Sequence, residues 1–176
     1  MTGASYEDTS STHLVLCGVG AFDQGIRLVR QSQPHCDLSA LLEETKTPIL
    51  GICLGMQMLG EGSEEGNLPG LGWIPARCRH LRGMGMGVVP HVGWETLEIL
   101  KPDPLLDGLD KDARFYFSHS YGMDAVPPEY LLATPARGPR FAAVVRKGNA
   151  WGVQFHPEKS LRHGMKILSN FLNFRP

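Results

Sequence analysis

Cys53 sits in the run Gly51-Ile52-Cys53-Leu54-Gly55, with a glycine two positions away on either side. That spacing has the form of a nucleophile elbow, in which one side chain is lifted onto a sharp turn between a buried strand and a helix. A cysteine there stands at a helix N-terminus, where unpaired N–H groups favour the thiolate that attacks carbonyl carbon. The Leu54 amide is then an oxyanion donor. A lone cysteine is more often a small buried hydrophobe. The paired glycines weigh against that reading here.

A nucleophilic cysteine needs a base. In Gln154-Phe155-His156-Pro157-Glu158 a histidine follows a strand-like run, and a carboxylate comes two residues later. In extended geometry His156 and Glu158 face the same way, so Glu158 can fix the imidazole tautomer and stabilise its charged form. Pro157 restricts the backbone between them. His13, His35, His80 and His163 have no such context and read as surface or structural histidines.

The elements that would carry these groups are short. Residues 13–17 (HLVLC) read as a buried strand, punctuated by Gly18 and Gly20 before an amphipathic stretch at 24–30. A second helix is expected over 39–45, ended by Thr47-Pro48. Residues 49–53 form the strand leading into Cys53, with a helix through Met56 to Leu59 behind it. From 60 to 93 the chain is rich in Gly and Pro and reads as hairpins and loops, with a β-like piece at 72–74. Strands are expected at 114–121, 130–134, 141–146 and 150–155, with a hairpin turn at Gly148-Asn149. Leu161, Met165, Leu168 and Leu172 recur at helical spacing, which predicts a closing helix packed on the sheet through that face.

The whole chain narrows the function class. Its 176 residues fit one domain with an adequate core, 42% are hydrophobic and 20% charged, and the net charge is -1. Such a balance offers no broad attraction to nucleic acid or to anionic membranes. No apolar run is long enough to cross a bilayer, no signal segment opens the chain, and the four cysteines form no C-x-x-C pair. A reducing, cytoplasmic setting is expected, with no metal or cofactor. Residues 1–12, small and polar, are expected to be a disordered end, leaving 13–176 as the folded domain.

The runs GICLGMQ at 51–57 and GVQFHPEKS at 152–160 together resemble the class I (triad) glutamine amidotransferases. GVGAF at 18–22, PHVGW at 90–94 and FYFSHSY at 115–121 are similar to the glutaminase subunits that serve histidine biosynthesis within that family. The resemblance spans nearly everything after residue 12. It implies an α/β, flavodoxin-like fold with a central, mostly parallel sheet flanked by helices. It implies that Cys53 attacks the side-chain amide of L-glutamine, forming a γ-glutamyl thioester and releasing ammonia, with His156 and Glu158 completing the triad. Val19, in the Gly18-Val19-Gly20 turn, would give the second oxyanion amide beside Leu54. Gly18, Gln57, Glu65, Ser118, His119 and Ser120 match positions that hold the substrate. Trp94, Tyr116, His119 and Lys159 would face the partner, a (β/α)8-barrel cyclase in a heterodimer.

The pattern also departs from the family. A strand, a helix and a second strand normally precede the segment equivalent to HLVLC, so a fold lacking that unit is expected. Cys17 stands where Pro is usual, and Glu95 where Asn is usual. Two further readings remain open: a relative that binds its partner without catalysing, and a glutaminase serving another acceptor such as a surface sugar. Glu65, in an acidic run, also fits a solvated loop charge, and Trp94 also fits the core.

Overall fold

A computed structural model describes residues 12–32, 38–44 and 46–175. Of the expected disordered end at 1–12, residues 1–11 lie outside the described residues, as do His35 and Cys36. Strand β1 (Leu14–Gly18) leads into helix α1 (Phe22–Ser32), then α2 (Leu38–Glu43), β2 (Ile49–Cys53) and α3 (Leu54–Met58). Three more strands follow, β3 (Gly62–Ser63), β4 (Arg77–His80) and β5 (His91–Ile99). The chain then runs through β6 (Arg114–His119), β7 (Tyr121–Asp124), β8 (Leu131–Pro135), β9 (Val144–Lys147) and β10 (Ala150–Val153) to α4 (Leu161–Asn173).

The main sheet has seven strands in the order β1-β2-β10-β9-β8-β5-β6, and β3-β4-β7 form a small second sheet. Within the main sheet β1, β2 and β10 pair in parallel, while β9, β8, β5 and β6 join antiparallel. The α/β class stands, but the expectation of a mostly parallel sheet gives way to a mixed one. The reason is local. Gly148-Asn149 closes a tight hairpin pairing Lys147 with Ala150, and a two-residue connection can only join antiparallel strands.

Alternation along the parallel strands divides two cores. Ile49 and Ala150 face one side with Phe22, Ile26, Met56 and Met58. Leu50, Ile52, Trp151 and Val153 face the other with Phe115, Phe155, Ile167 and Phe171. Helices α1 and α3 therefore cover one face, and α4 the other. Gly51 and Gly152 are register partners under α3. A Cβ at Gly51 would lie 2.8 Å from the Gly55 carbonyl carbon, and one at Gly152 would lie 2.6 Å from Met56 Cγ. These bare backbones let α3 press onto the sheet.

Three other expectations change. Residues 72–74 form no strand, while 91–99, read partly as loop, form the longest strand of the sheet. The expected strand at 114–121 is two strands broken at Ser120, β6 in the main sheet and β7 in the small one. Helix α4 forms as expected, but buries Gly164, Ile167 and Phe171 and leaves Leu161, Met165 and Leu172 exposed. Gly164 sets that rotation, since a Cβ there would lie 1.8 Å from the Pro157 carbonyl oxygen. No helix of the described residues is long and apolar enough to cross a membrane.

Candidate active site

Cys53 ends β2 and caps α3 with φ 52° and ψ -106°, a left-handed backbone that non-glycine residues rarely hold. The flanking glycines do not adopt the strain themselves. They allow the close approach around it, because a Cβ on Gly55 would fall 1.8 Å from the Leu16 carbonyl oxygen. The sharp strand-to-helix turn expected from sequence is thus present, and the unusual backbone falls on the cysteine itself.

Behind Cys53 the electrostatics differ from expectation. Burial, with the nearby Glu158 charge, pushes its thiol up to about 11, and the Leu54 amide, Lys159 and the Gln154 side chain lower it only in part. Helix α3 has five residues, too few to outweigh the desolvation. The resting group is a neutral thiol near pH 7. For such a thiol to act as a nucleophile, a base must take its proton.

His156 follows β10 and is buried, its amide bonded to the Tyr116 carbonyl at 2.8 Å. Its Nδ1 meets Glu158 Oε1 at 2.7 Å. With an ionised carboxylate there, Nδ1 carries the proton and Nε2 is the bare, basic nitrogen. The link does not follow an extended path, since Pro157–Lys159 form a single turn of 3-10 helix that returns the carboxylate to the ring. Ser160 braces this turn from a fully buried position. Its hydroxyl donates to the His156 carbonyl at 2.6 Å and accepts from the Tyr116 amide at 2.9 Å.

Cys53 and His156 line one pocket of about 290 Å³, at the small end of ligand cavities, which run from roughly 300 to 1,000 Å³. Val19, Gln57, Glu65, Ser118, His119, Ser120 and Lys159 line it too, with Gly20 and Tyr121 in addition. Val19 is 84% exposed at the rim. Gly18 packs behind it, where a Cβ would meet Leu54 Cδ2 at 3.4 Å. Glu65 lies in an exposed turn and lines the pocket, where its Oε2 accepts the Phe22 amide at 2.9 Å, so it is a solvated loop charge that is also anchored beside the site.

His119 is buried, its Nδ1 2.8 Å from the Tyr121 carbonyl. Burial holds it down at about 3, a neutral ring throughout the physiological range. It lines the pocket but, being buried, offers little to a protein surface, which does not fit the expected interface role. Trp94 is 42% exposed, not core, and stands edge-on to Tyr116, its register partner across β5 and β6, at 5.8 Å. Lys159 Nζ lies 5.8 Å above the same Tyr116 ring. A half-exposed aromatic and basic patch therefore borders the pocket.

Gln154 was not singled out from sequence. It is fully buried, and its Nε2 lies 3.6 Å from Cys53 Sγ. The available signal was its place two residues before His156 in an extended run, which puts both side chains on one face. Ser160 had no comparable signal.

The model of the glutamine amidotransferase class-I family matches residues 8–174. The chain is 44% identical over 168 residues to the imidazole glycerol phosphate synthase subunit HisH of Bdellovibrio bacteriovorus, covering 94% of this chain and 82% of that one. It is 42% identical over 159 residues to subunit HisH 2 of Pseudomonas aeruginosa, covering 90% and 79%. Among solved structures, a glutamine amidotransferase superposes with a TM-score of 0.68 at 21% identity, covering 93% of this chain and 79% of that one. PurLQS from Thermotoga maritima gives 0.63 at 19%, covering 90% and 78%. The structures show a shared fold, and the family match with the sequence identities goes further: the chain belongs to the class-I glutamine amidotransferase family and groups there with the HisH subunits.

Proposed function

We propose that this chain is the glutaminase subunit of an imidazole glycerol phosphate synthase, hydrolysing L-glutamine and passing ammonia to a (β/α)8-barrel cyclase. The observation that carries the chemistry is the convergence of a strained, buried cysteine and a carboxylate-oriented histidine on one small pocket. His156 Nε2 takes the Cys53 proton as the sulfur attacks the side-chain amide carbon of glutamine. The tetrahedral oxyanion falls to the Leu54 and Val19 amides. His156 returns the proton to the leaving nitrogen, ammonia departs, and a γ-glutamyl thioester remains. Water, deprotonated by the same imidazole, attacks the thioester to give glutamate and the free thiol. Glu65 is chemically suited to the substrate ammonium.

The identities to HisH subunits support imidazole glycerol phosphate over a surface sugar as the destination of the ammonia. Trp94, Tyr116 and Lys159 supply the patch that a barrel partner would cover, next to the pocket from which ammonia leaves. Glutamine turnover measured with and without the cyclase and its nucleotide substrate tests this. Turnover is expected to rise on the order of 10- to 100-fold with both present, and Trp94→Ala to remove most of the rise. Equal turnover under all conditions contradicts the reading.

A further inference from the structure

A hydrogen-bonded chain runs from β5 to the sulfur of Cys53, and one fixed group sets its polarity. The Tyr121 backbone carbonyl can only accept. It receives Gln57 Nε2 at 2.8 Å and His119 Nδ1 at 2.8 Å. Turning the Gln57 amide over would set its oxygen against that carbonyl, so the nitrogen must face it. The same Nε2 lies 3.1 Å from the Gln154 side chain, which must therefore present Oε1. Gln154 is left with Nε2 toward Cys53 Sγ at 3.6 Å, as a donor. On the other branch, His119 Nε2 is bare and accepts from His91 Nδ1 at 3.2 Å.

Gln154 is fully buried, where an amide without partners costs stability. A packing role needs no amide there. A donor aimed at a sulfur whose thiol is held neutral by burial serves a different purpose, since it interacts most strongly with the charged form reached during attack. We propose that Gln154 is a positioning residue for the hydrolytic reaction: oriented through Gln57 by the Tyr121 carbonyl, its amide donates to Cys53 Sγ, aims the sulfur and favours its ionisation. The chain also fixes Gln57, which lines the pocket, with its Oε1 as the atom open to a ligand. The inference rests on Cys53 being the nucleophile.

The test is the pH dependence of Cys53 alkylation by iodoacetamide in the full chain, with the modified peptide identified by mass so that exposed Cys17 is not counted. Gln154→Met keeps an unbranched side chain of similar length and removes the donor. Thiolate is the minor form below the thiol pKa of about 11, so reactivity rises with pH toward that value. In Gln154→Met the profile is expected to move to higher pH by about one unit, an alkylation about 10-fold slower at any fixed pH below it. Gln57→Met, which releases the Gln154 amide from its fixed orientation, is expected to shift the profile the same way by less, and gives the answer if Gln154→Met does not fold. A folded Gln154→Met whose profile coincides with the parent overturns the proposal, as does an unmoved profile in Gln57→Met where the first variant is unfolded. A parent chain whose Cys53 does not alkylate at any pH overturns the nucleophile assignment instead.

Discussion

Cys53→Ala is expected to abolish glutamine hydrolysis while the chain stays folded. The loss should be roughly 10⁴-fold or more, as for nucleophiles that act as a unit with their base. His156 and Glu158 keep their 2.7 Å contact in that variant, but have no thiol to deprotonate and no sulfur to carry the acyl group. Stability should change little, by about 1 kcal/mol, since the substitution removes one atom and alanine must hold the same φ of 52°. Glutamate release and thermal melting on the same preparation check both halves. A variant with parental turnover sinks the thioester route.

Gly55→Ala is expected to be severely destabilising. The added Cβ would lie 1.8 Å from the carbonyl oxygen of Leu16, and that oxygen belongs to β1, which is hydrogen-bonded along its length to β2. Backbone held in a sheet cannot yield as a side-chain tip can. We expect a loss of about 3 kcal/mol or more, at the severe end of overpacking. Gly87→Ala is the control, because nothing lies within 4 Å of its added Cβ, and it should stay within about 0.5 kcal/mol of the parent. Matching melting temperatures for the two would show that α3 is not seated on β1 as described.

Those two substitutions bracket what the sequence discloses. That Cys53, His156 and Glu158 come together was legible because the chemistry expected of them needs particular residue types at a local spacing, and spacing survives without knowledge of the fold. Gln57, Glu65 and Val19 were reached through resemblance, and meet at the pocket. The thiol's ionisation was not legible. Glycine spacing announces the turn, but the burial that raises the Cys53 thiol depends on long-range packing, in a core cluster shared with Phe115, Phe117, Val153 and Phe155.

The same division holds for the fold. Hydrophobic runs marked β1, β2 and β10, yet the sheet's direction depended on the hairpin at Gly148 and on long-range pairing of β5 with β6 and β8. In 91–99 the burial alternates irregularly, from His91 through Trp94 to Ile99, and the strand changes neighbours along its length, residues 91–96 pairing with β6 and 97–99 with β8. Helix α4 misled for a physical reason. Four apolar residues at helical spacing predicted its buried face, but a single backbone contact at Gly164 turned Ile167 and Phe171 inward instead.

Treatment of the chain with a glutamine-mimicking electrophile, followed by peptide mass mapping, tests the assignment of Cys53 most directly. One adduct per chain is expected, on Cys53, blocked by excess L-glutamine and absent in Cys53→Ala. Modification confined to Cys17, or a Cys53 adduct that glutamine does not prevent, would contradict it.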